Sequence, residues 1–266
     1  MPAFHFLATH FSKAQFMAGI LYLIPNTLSA ASSATDNLLA SIIPDEVQKI
    51  TAQLDYFIAE NAKTARAHLN LVSRNYPLAI ALQEIRIDEL NINTESSALP
   101  ALLAPILAGR DAGLISEAGV PAVADPGANL VRLAHQHGIR VRPLVGPSSL
   151  LLAVMASGLN GQSFAFNGYL PIDGGQRIKR IKTLEDRSRQ EKQTQLFIET
   201  PYRNLGLLEA LTATCAPGTL ICIATELTTA EETIRTQTVT QWKRDLTSGK
   251  TPNFHKKPTV FLLLAE

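Results

Sequence analysis

Residues 112–144 constrain the fold most, because an unbroken strand–loop–helix–strand unit is written there. Ala112 to Ile115 is a short apolar run, followed by the loop Ser116-Glu117-Ala118-Gly119-Val120-Pro121 and its continuation to Gly127. Asn129 to His137 reads as a helix stopped by Gly138, and Ile139 to Leu144 as the next strand. Strands joined across a helix run parallel, so this unit implies a parallel sheet covered by helices.

The same alternation extends on both sides. Ile20 to Ile24 is a strand stopped by Pro25, with a loop from Asn26 to Ser33. Leu38 to Ile50 is helical but broken by Pro44; Tyr56 to Ala59 is a strand, and residues 61–72 form a helix. A polar interval, Asp88 to Ser97, precedes a helix from Leu99 to Leu107. Past Gly146-Pro147 the pattern changes. Ser148 to Ala156 is an apolar helix with Ser148 in N-cap position, and Phe164 to Tyr169 is a strand. Residues 176–192 form a basic amphipathic helix. Leu196 to Glu199, Leu220 to Ala224, Glu232 to Thr238 and Thr259 to Leu264 complete a second sheet. The expected fold is α/β with two domains: residues 17–145 around a mainly parallel sheet and 146–266 around a mixed one. Residues 1–16 read as a loosely ordered extension ahead of a fresh start at Met17.

Charge and cysteine content narrow the function classes. The formal net charge is +1, so no global field draws the chain to nucleic acid, and any RNA contact must come from a local patch. Arg177, Lys179, Arg180, Lys182, Arg187, Arg189 and Lys192, set against Glu185, Asp186 and Glu191, have the sign to meet phosphates; a solvated helix face explains them equally well. Cys215 and Cys222 are expected to be buried thiols, and no metal-ligand cluster is visible. His68, His135 and His137 lie in helical patterns and are expected at the surface. No apolar run reaches the ~18 residues of a membrane span, and no signal peptide is evident.

Two segments suit a bound ligand. Ser116, Ala118, Gly119, Ala122 and Ala124 crowd one strand-end loop with small side chains, allowing close backbone approach; a tight structural turn reads the same way. Ser148 and Ser149 open a helix whose N–H groups can bind a carboxylate or ribose oxygen, or simply be capped. Glu60, Glu117, Asp125 and Glu199 are carboxylates at strand ends or loops, each available as a base or as a structural acceptor.

These segments together resemble the tetrapyrrole (corrin/porphyrin) methylase superfamily, in particular its 16S rRNA (cytidine-2'-O)-methyltransferase branch. The resemblance is carried by Gly19-Ile20-Leu21-Tyr22-Leu23-Ile24-Pro25, by Ala59-Glu60-Asn61 with Arg66, and by Leu114 to Pro121 with Ala124-Asp125-Pro126-Gly127. It continues through Pro143 to Ser149, Phe166 to Pro171, Phe197-Ile198-Glu199-Thr200-Pro201-Tyr202-Arg203 and Glu226-Leu227-Thr228. It implies an S-adenosyl-L-methionine-dependent methyltransferase, cytoplasmic and homodimeric, acting on RNA or the small ribosomal subunit, with no membrane and no metal. The cofactor is expected in an interdomain cleft, against Pro25, Ser116, Glu117, Ala118, Gly119, Pro121, Ala124, Ser148, Ser149, Ala224 and Thr225. Glu60 and Glu199 are the candidate catalytic carboxylates, and Lys179, Arg180 and Lys182 the candidate substrate contacts. The chain departs from the branch at Asn26, where a Gly-Asn pair is usual, at Asn61 and Glu117, where acidic residue and Asp are usual, and at Asn91 to Glu95, where histidines are usual. A small-molecule, tetrapyrrole-like methylase and a non-catalytic cofactor- or RNA-binding paralogue remain open alternatives.

Overall fold

The fold is described from a computed structural model over residues 18–28 and 38–265. The extension assigned to residues 1–16 lies outside the described residues, as do positions 29–33 of the first loop. Five strands build the first sheet: β1 (Ile20–Ile24), β2 (Tyr56–Ala59), β3 (Arg86–Glu89), β4 (Ala112–Ile115) and β5 (Arg140–Pro143). Their order is β3-β2-β4-β1-β5, and every pairing is parallel. The helices of this half are α1 (Leu38–Ile42), α2 (Asp45–Ala52), α3 (Ala62–Ser73), α4 (Leu99–Leu107) and α5 (Gly127–Gln136). Alternate strand residues enter two cores. Leu21, Tyr56, Ile58, Ala112 and Leu114 pack with α4 and α5, whereas Tyr22, Ile24, Phe57 and Ile115 pack with Leu69 of α3. The connection leaving β1 crosses the sheet one way to β2, and that leaving β4 crosses the other way to β5. Where such connections part, a crevice opens at the carboxyl ends of the strands.

The second sheet contains β6 (Phe164–Tyr169), β7 (Thr194–Ile198), β8 (Leu220–Thr225), β9 (Thr233–Thr238) and β10 (Thr259–Leu264), in the order β6-β7-β10-β8-β9. Only β6 and β7 pair in parallel, so the sheet is mixed, as expected. Its helices are α6 (Ser149–Ser157), α7 (Gly174–Glu191), α8 (Asn204–Thr214) and α9 (Val239–Ser248). Phe197, Ile221, Ile223, Phe261 and Leu263 face α7, α8 and α9, while Leu196, Cys222, Ala224, Val260 and Leu262 face α6. Phe197 and Phe261 are cross-strand partners whose rings stack with centroids 6.1 Å apart, a pairing worth ~0.5–1.5 kcal/mol beyond area burial.

Local chemistry explains the helix boundaries. Pro44 separates α1 from α2 and occupies the N-cap of α2. Asn61 caps α3, its Oδ1 accepting from the N–H groups of Lys63 and Thr64. Asp173 caps α7 in the same way through Gln176 N–H. Thr238 and Gln241 form a reciprocal capping box at the start of α9.

Three features correct the sequence reading. β3, Arg-Ile-Asp-Glu, is a strand where part of a polar interval was expected; it is the sheet edge, where charged residues are tolerated and discourage edge pairing. Helices α8 and α9 fill stretches to which no element was assigned. His68 is 2 % exposed, not a surface residue, because it shares the inner face of α3 with Ala65, Leu69 and Val72. Neither ring nitrogen has a hydrogen-bond partner among the described residues, and burial holds its pKa down at about 4, so it is neutral. Cys215 and Cys222 are buried free thiols.

Candidate functional site

The carboxyl ends of β1, β2 and β4 deliver Pro25, Glu60 and Ser116 to one edge of the first sheet, and the segment after β5 leads to Ser148 and α6. The loops after β1 and β4 are tied to each other. Asn26 N–H donates to Gly119 O at 2.8 Å, forming an isolated antiparallel bridge. The Asn26 amide donates to Ser116 O and Glu117 O, and its Oδ1 accepts from Thr27 N–H. Asn26, one of the departures from the family pattern, therefore latches the two loops together. Gly119 has φ +70°, a conformation that favours glycine.

Beyond Gly119 the chain turns through Ala122 and Ala124, both at positive φ. Such backbone is uncommon for alanine and needs external support. Asp125 supplies it: its carboxylate accepts from Ala122 N–H at 2.8 and 2.9 Å and from Gly127 N–H at 2.7 Å. Burial raises its pKa against these hydrogen bonds.

Two adjoining cavities open beside these loops. The first, of about 240 Å³, is lined by Ser116, Glu117, Ala118, Gly119 and Ala124 from the first half and by Ser148 and Ser149 from the second. Glu60 and Asp125 complete its acidic side, while Phe166, Tyr169 and Ile198 give it an apolar wall. The second, of about 280 Å³, shares Ala118, Ser149, Tyr169 and Ile198 with the first. It continues along Ala224, Leu227, Pro258 and Thr259. A larger cavity of about 620 Å³ lies elsewhere, bordered by Tyr22, Asp55, Asp111 and Arg142; it is more open and polar and contains none of the candidate cofactor, catalytic or substrate residues named from the sequence.

The sequence-selected residues divide accordingly. Pro121 borders a small pit next to Glu60 and Asp125. Pro25 borders neither main cavity; it packs against Gly146. Thr225 is buried and pairs its hydroxyl with that of Thr259. Lys179, Arg180 and Lys182 are exposed on α7 and line neither cavity, and Arg180 donates to Asn167 Oδ1. Leu28, Tyr169, Leu227 and Val260 line the cavities without having been selected. The Phe166–Pro171 motif contained the signal for Tyr169.

The two candidate carboxylates differ sharply. The Glu199 side chain is 0 % exposed, and its Oε1 accepts from Arg203 at 2.7 and 2.9 Å and from Thr200 N–H at 2.7 Å. Oε1 organises the turn at Pro201–Arg203, while the buried Oε2 has no hydrogen-bond partner among the described residues. Glu60 is only half-buried and accepts from Glu117 N–H at 3.2 Å. Desolvation raises its pKa, with Glu117 and Asp125 adding in the same direction against the hydrogen bond from Glu117 N–H. Ser148 extends into the N-cap position of α6 without a side-chain cap bond. Ser148, Ser149 and Leu150 put the N-terminus of α6 on the wall of the first cavity, and a helix N-terminus suits a carboxylate.

Comparison with known proteins fixes the family. A family model described as Tetrapyrrole (Corrin/Porphyrin) Methylases matches residues 44–242. The chain belongs to the tetrapyrrole methylase family. Ribosomal RNA small subunit methyltransferase I of Escherichia coli O157:H7 is 30% identical over 216 residues, covering 81% of this chain and 68% of that protein. The Mesorhizobium japonicum protein of the same name is 39% identical over 153 residues, covering 58% of this chain and 51% of that protein. The crystal structure of the methyltransferase CobJ superposes with a TM-score of 0.56 at 21% identity, covering 93% of both chains, which speaks for the tetrapyrrole methylase fold. The family resemblance carried by the strand-end and loop motifs is borne out, and the chain is a methyltransferase. Among the described residues no group of three metal-ligating side chains occurs, and no helix is long and apolar enough to cross a membrane.

Proposed function

We propose that this tetrapyrrole methylase family member uses S-adenosyl-L-methionine to methylate a ribose 2'-hydroxyl of ribosomal RNA. The observation that carries the choice of acceptor is the charge of the cavities. Glu60, Glu117 and Asp125 line the first, and no Lys, Arg or His lines either among the described residues. A corrin or porphyrin precursor bears several carboxylates, which an acidic wall without cations repels. A sugar hydroxyl carries no charge and needs a base, which Glu60 supplies from the cavity wall. The names of the relatives, ribosomal RNA small subunit methyltransferase I, support the same choice.

The donor fits the paired cavities chemically. Ala118 and Gly119 let a ligand approach the backbone, the α6 N-terminus with Ser148 suits its carboxylate, and the acidic side suits its cationic groups. The apolar second cavity, along Ala224 and Leu227, suits a purine. When bound, the donor supplies an activated methyl group, so the chain's task is to align it with the acceptor and remove one proton. Glu60 takes that proton as the new O–C bond forms; Glu117 N–H orients its carboxylate. Lys179 and Lys182, exposed and in no salt bridge among the described residues, have the charge to meet RNA phosphates.

Incubation with methyl-labelled donor and small ribosomal subunits from a strain lacking the protein tests this. Label is expected in the RNA at a ribose. Label only in a small-molecule fraction, or donor binding without transfer to any fraction, sinks the reading.

A further inference from the structure

An exposed aromatic and a cation stand together beside Pro201, a residue of the second cavity's wall, and neither has been given a role above. Tyr202 lies in the 3-10 turn Pro201–Arg203 and is 73 % exposed. Lys256 Nζ sits 5.6 Å from the centre of its ring. The pair is built, not accidental in its placement. Lys256 N–H donates to Pro201 O at 3.1 Å, and Lys256 itself holds a left-handed φ of 59°. The Asn204 amide, just past the turn, donates to Phe254 O and Lys257 O at 2.9 Å, clamping the loop that carries Lys256. Glu199 anchors the other side through Arg203. Pro201, next to Tyr202, and Pro258, two residues past Lys256, are themselves part of the cavity wall.

A tyrosine face left open to solvent is available for a flat ring, and a neighbouring ammonium is available for a phosphate. Unpaired nucleotides present that combination, because their bases are free to stack on aromatic side chains. We propose that Tyr202 and Lys256 form a stacking platform for one unpaired nucleotide of the RNA strand that flanks the acceptor. The inference rests on the RNA reading above and adds a second contact point, next to the wall of the second cavity and not among the acidic residues of the first. It assigns the neighbouring nucleotide an unstacked, single-stranded conformation, whereas the lysines of α7 are indifferent to it.

Fluorescence anisotropy with a labelled oligouridylate, and separately with an RNA duplex, tests the assignment. Tyr202→Ala is expected to weaken single-strand binding about tenfold, to leave duplex binding, donor binding and melting temperature unchanged, and to leave the salt slope unchanged. Tyr202→Trp is expected to retain wild-type affinity. Lys256→Gln is expected to flatten the salt slope by about 0.7, the value for one lost phosphate on a single strand. Wild-type binding that survives Tyr202→Ala but falls on changing Lys179 and Lys182 overturns the platform and leaves the RNA reading standing. A wild-type protein that binds neither RNA overturns both.

Discussion

Gly146 faces the ring of Pro25 so closely that a β-carbon on residue 146 would stand 2.2 Å from Pro25 Cβ and 2.3 Å from Cγ. The segment leaving the first sheet and the loop leaving β1 therefore touch through a contact only glycine permits. Gly146→Ala is expected to force them apart, with a stability loss of ~1–3 kcal/mol and at least tenfold weaker donor binding. Pro25→Gly in the same chain should restore much of both, since it removes the two clashing carbons. Thermal unfolding and calorimetry read the outcome; a single Gly146→Ala variant that behaves like wild type shows that the contact is not limiting.

Ala118 borders both cavities. Ala118→Trp is expected to fill the space between them and abolish donor binding. The position is exposed, so the fold should survive. Circular dichroism and calorimetry on the purified variant check both halves of the statement, and retained affinity would remove Ala118 from the site.

Glu60 and Glu199 separate by readout. Glu60→Gln is expected to lower kcat about 100-fold or more while donor affinity is kept. Because desolvation raises the Glu60 pKa above its ordinary 4.5, the base is protonated earlier on acidification, and activity should fall at a higher pH than an ordinary glutamate predicts. Glu199→Gln should instead lower the melting temperature. A fully buried pair costs ~3–5 kcal/mol to break, and the effect here is smaller because Arg203 is 33% exposed. A kcat loss in Glu199→Gln at unchanged stability would reverse the assignment.

His68 gives the fold an acid-sensitive point. Its folded pKa, about 4, lies below the ordinary 6.5. At neutral pH both folded and unfolded forms are uncharged and the full stability is present. As pH falls from about 6.5 towards 4, the unfolded chain takes a proton that the folded chain refuses, and stability declines by an amount on the order of 3 kcal/mol. His68→Leu should flatten that acid limb and, by removing two unpartnered ring nitrogens, cost little at pH 7. Denaturant unfolding at pH 5 and 7 decides it: an equal pH dependence in both proteins rules His68 out.

What could be read from the sequence follows from how locally each feature is encoded. β4, its loop and α5 were legible because apolar run, small-residue loop and amphipathic turn follow one another directly. β3 was not, since a four-residue edge strand with three charged residues carries no apolar alternation. The capping box at Thr238 and Gln241 was present in the sequence, and α9 behind it went unassigned because only Val239, Trp242 and Leu246 of its ten residues are apolar. His68 was misplaced because helical periodicity identifies a face only when its members are apolar. In the site, the small-residue loop was recognisable, whereas Tyr169 and Leu227 are brought to it by the second sheet. The enclosure of Glu199 depends on Arg203, a partner that no spacing rule distinguishes from a surface arginine.

The position of β10 has a consequence for biosynthesis. It is the last strand to leave the ribosome among the ten, yet it lies between β7 and β8 at the centre of its sheet. Until residues 259–264 emerge, the β6–α7–β7 crossover unit and the antiparallel β8–β9 pair are two separate fragments with unpaired inner edges, open to other chains. The same strand brings Thr259 and Val260 to the second cavity. A nascent chain can therefore assemble its parallel half early but cannot complete the cleft until translation has passed β10, which confines competence to chains synthesised through that point.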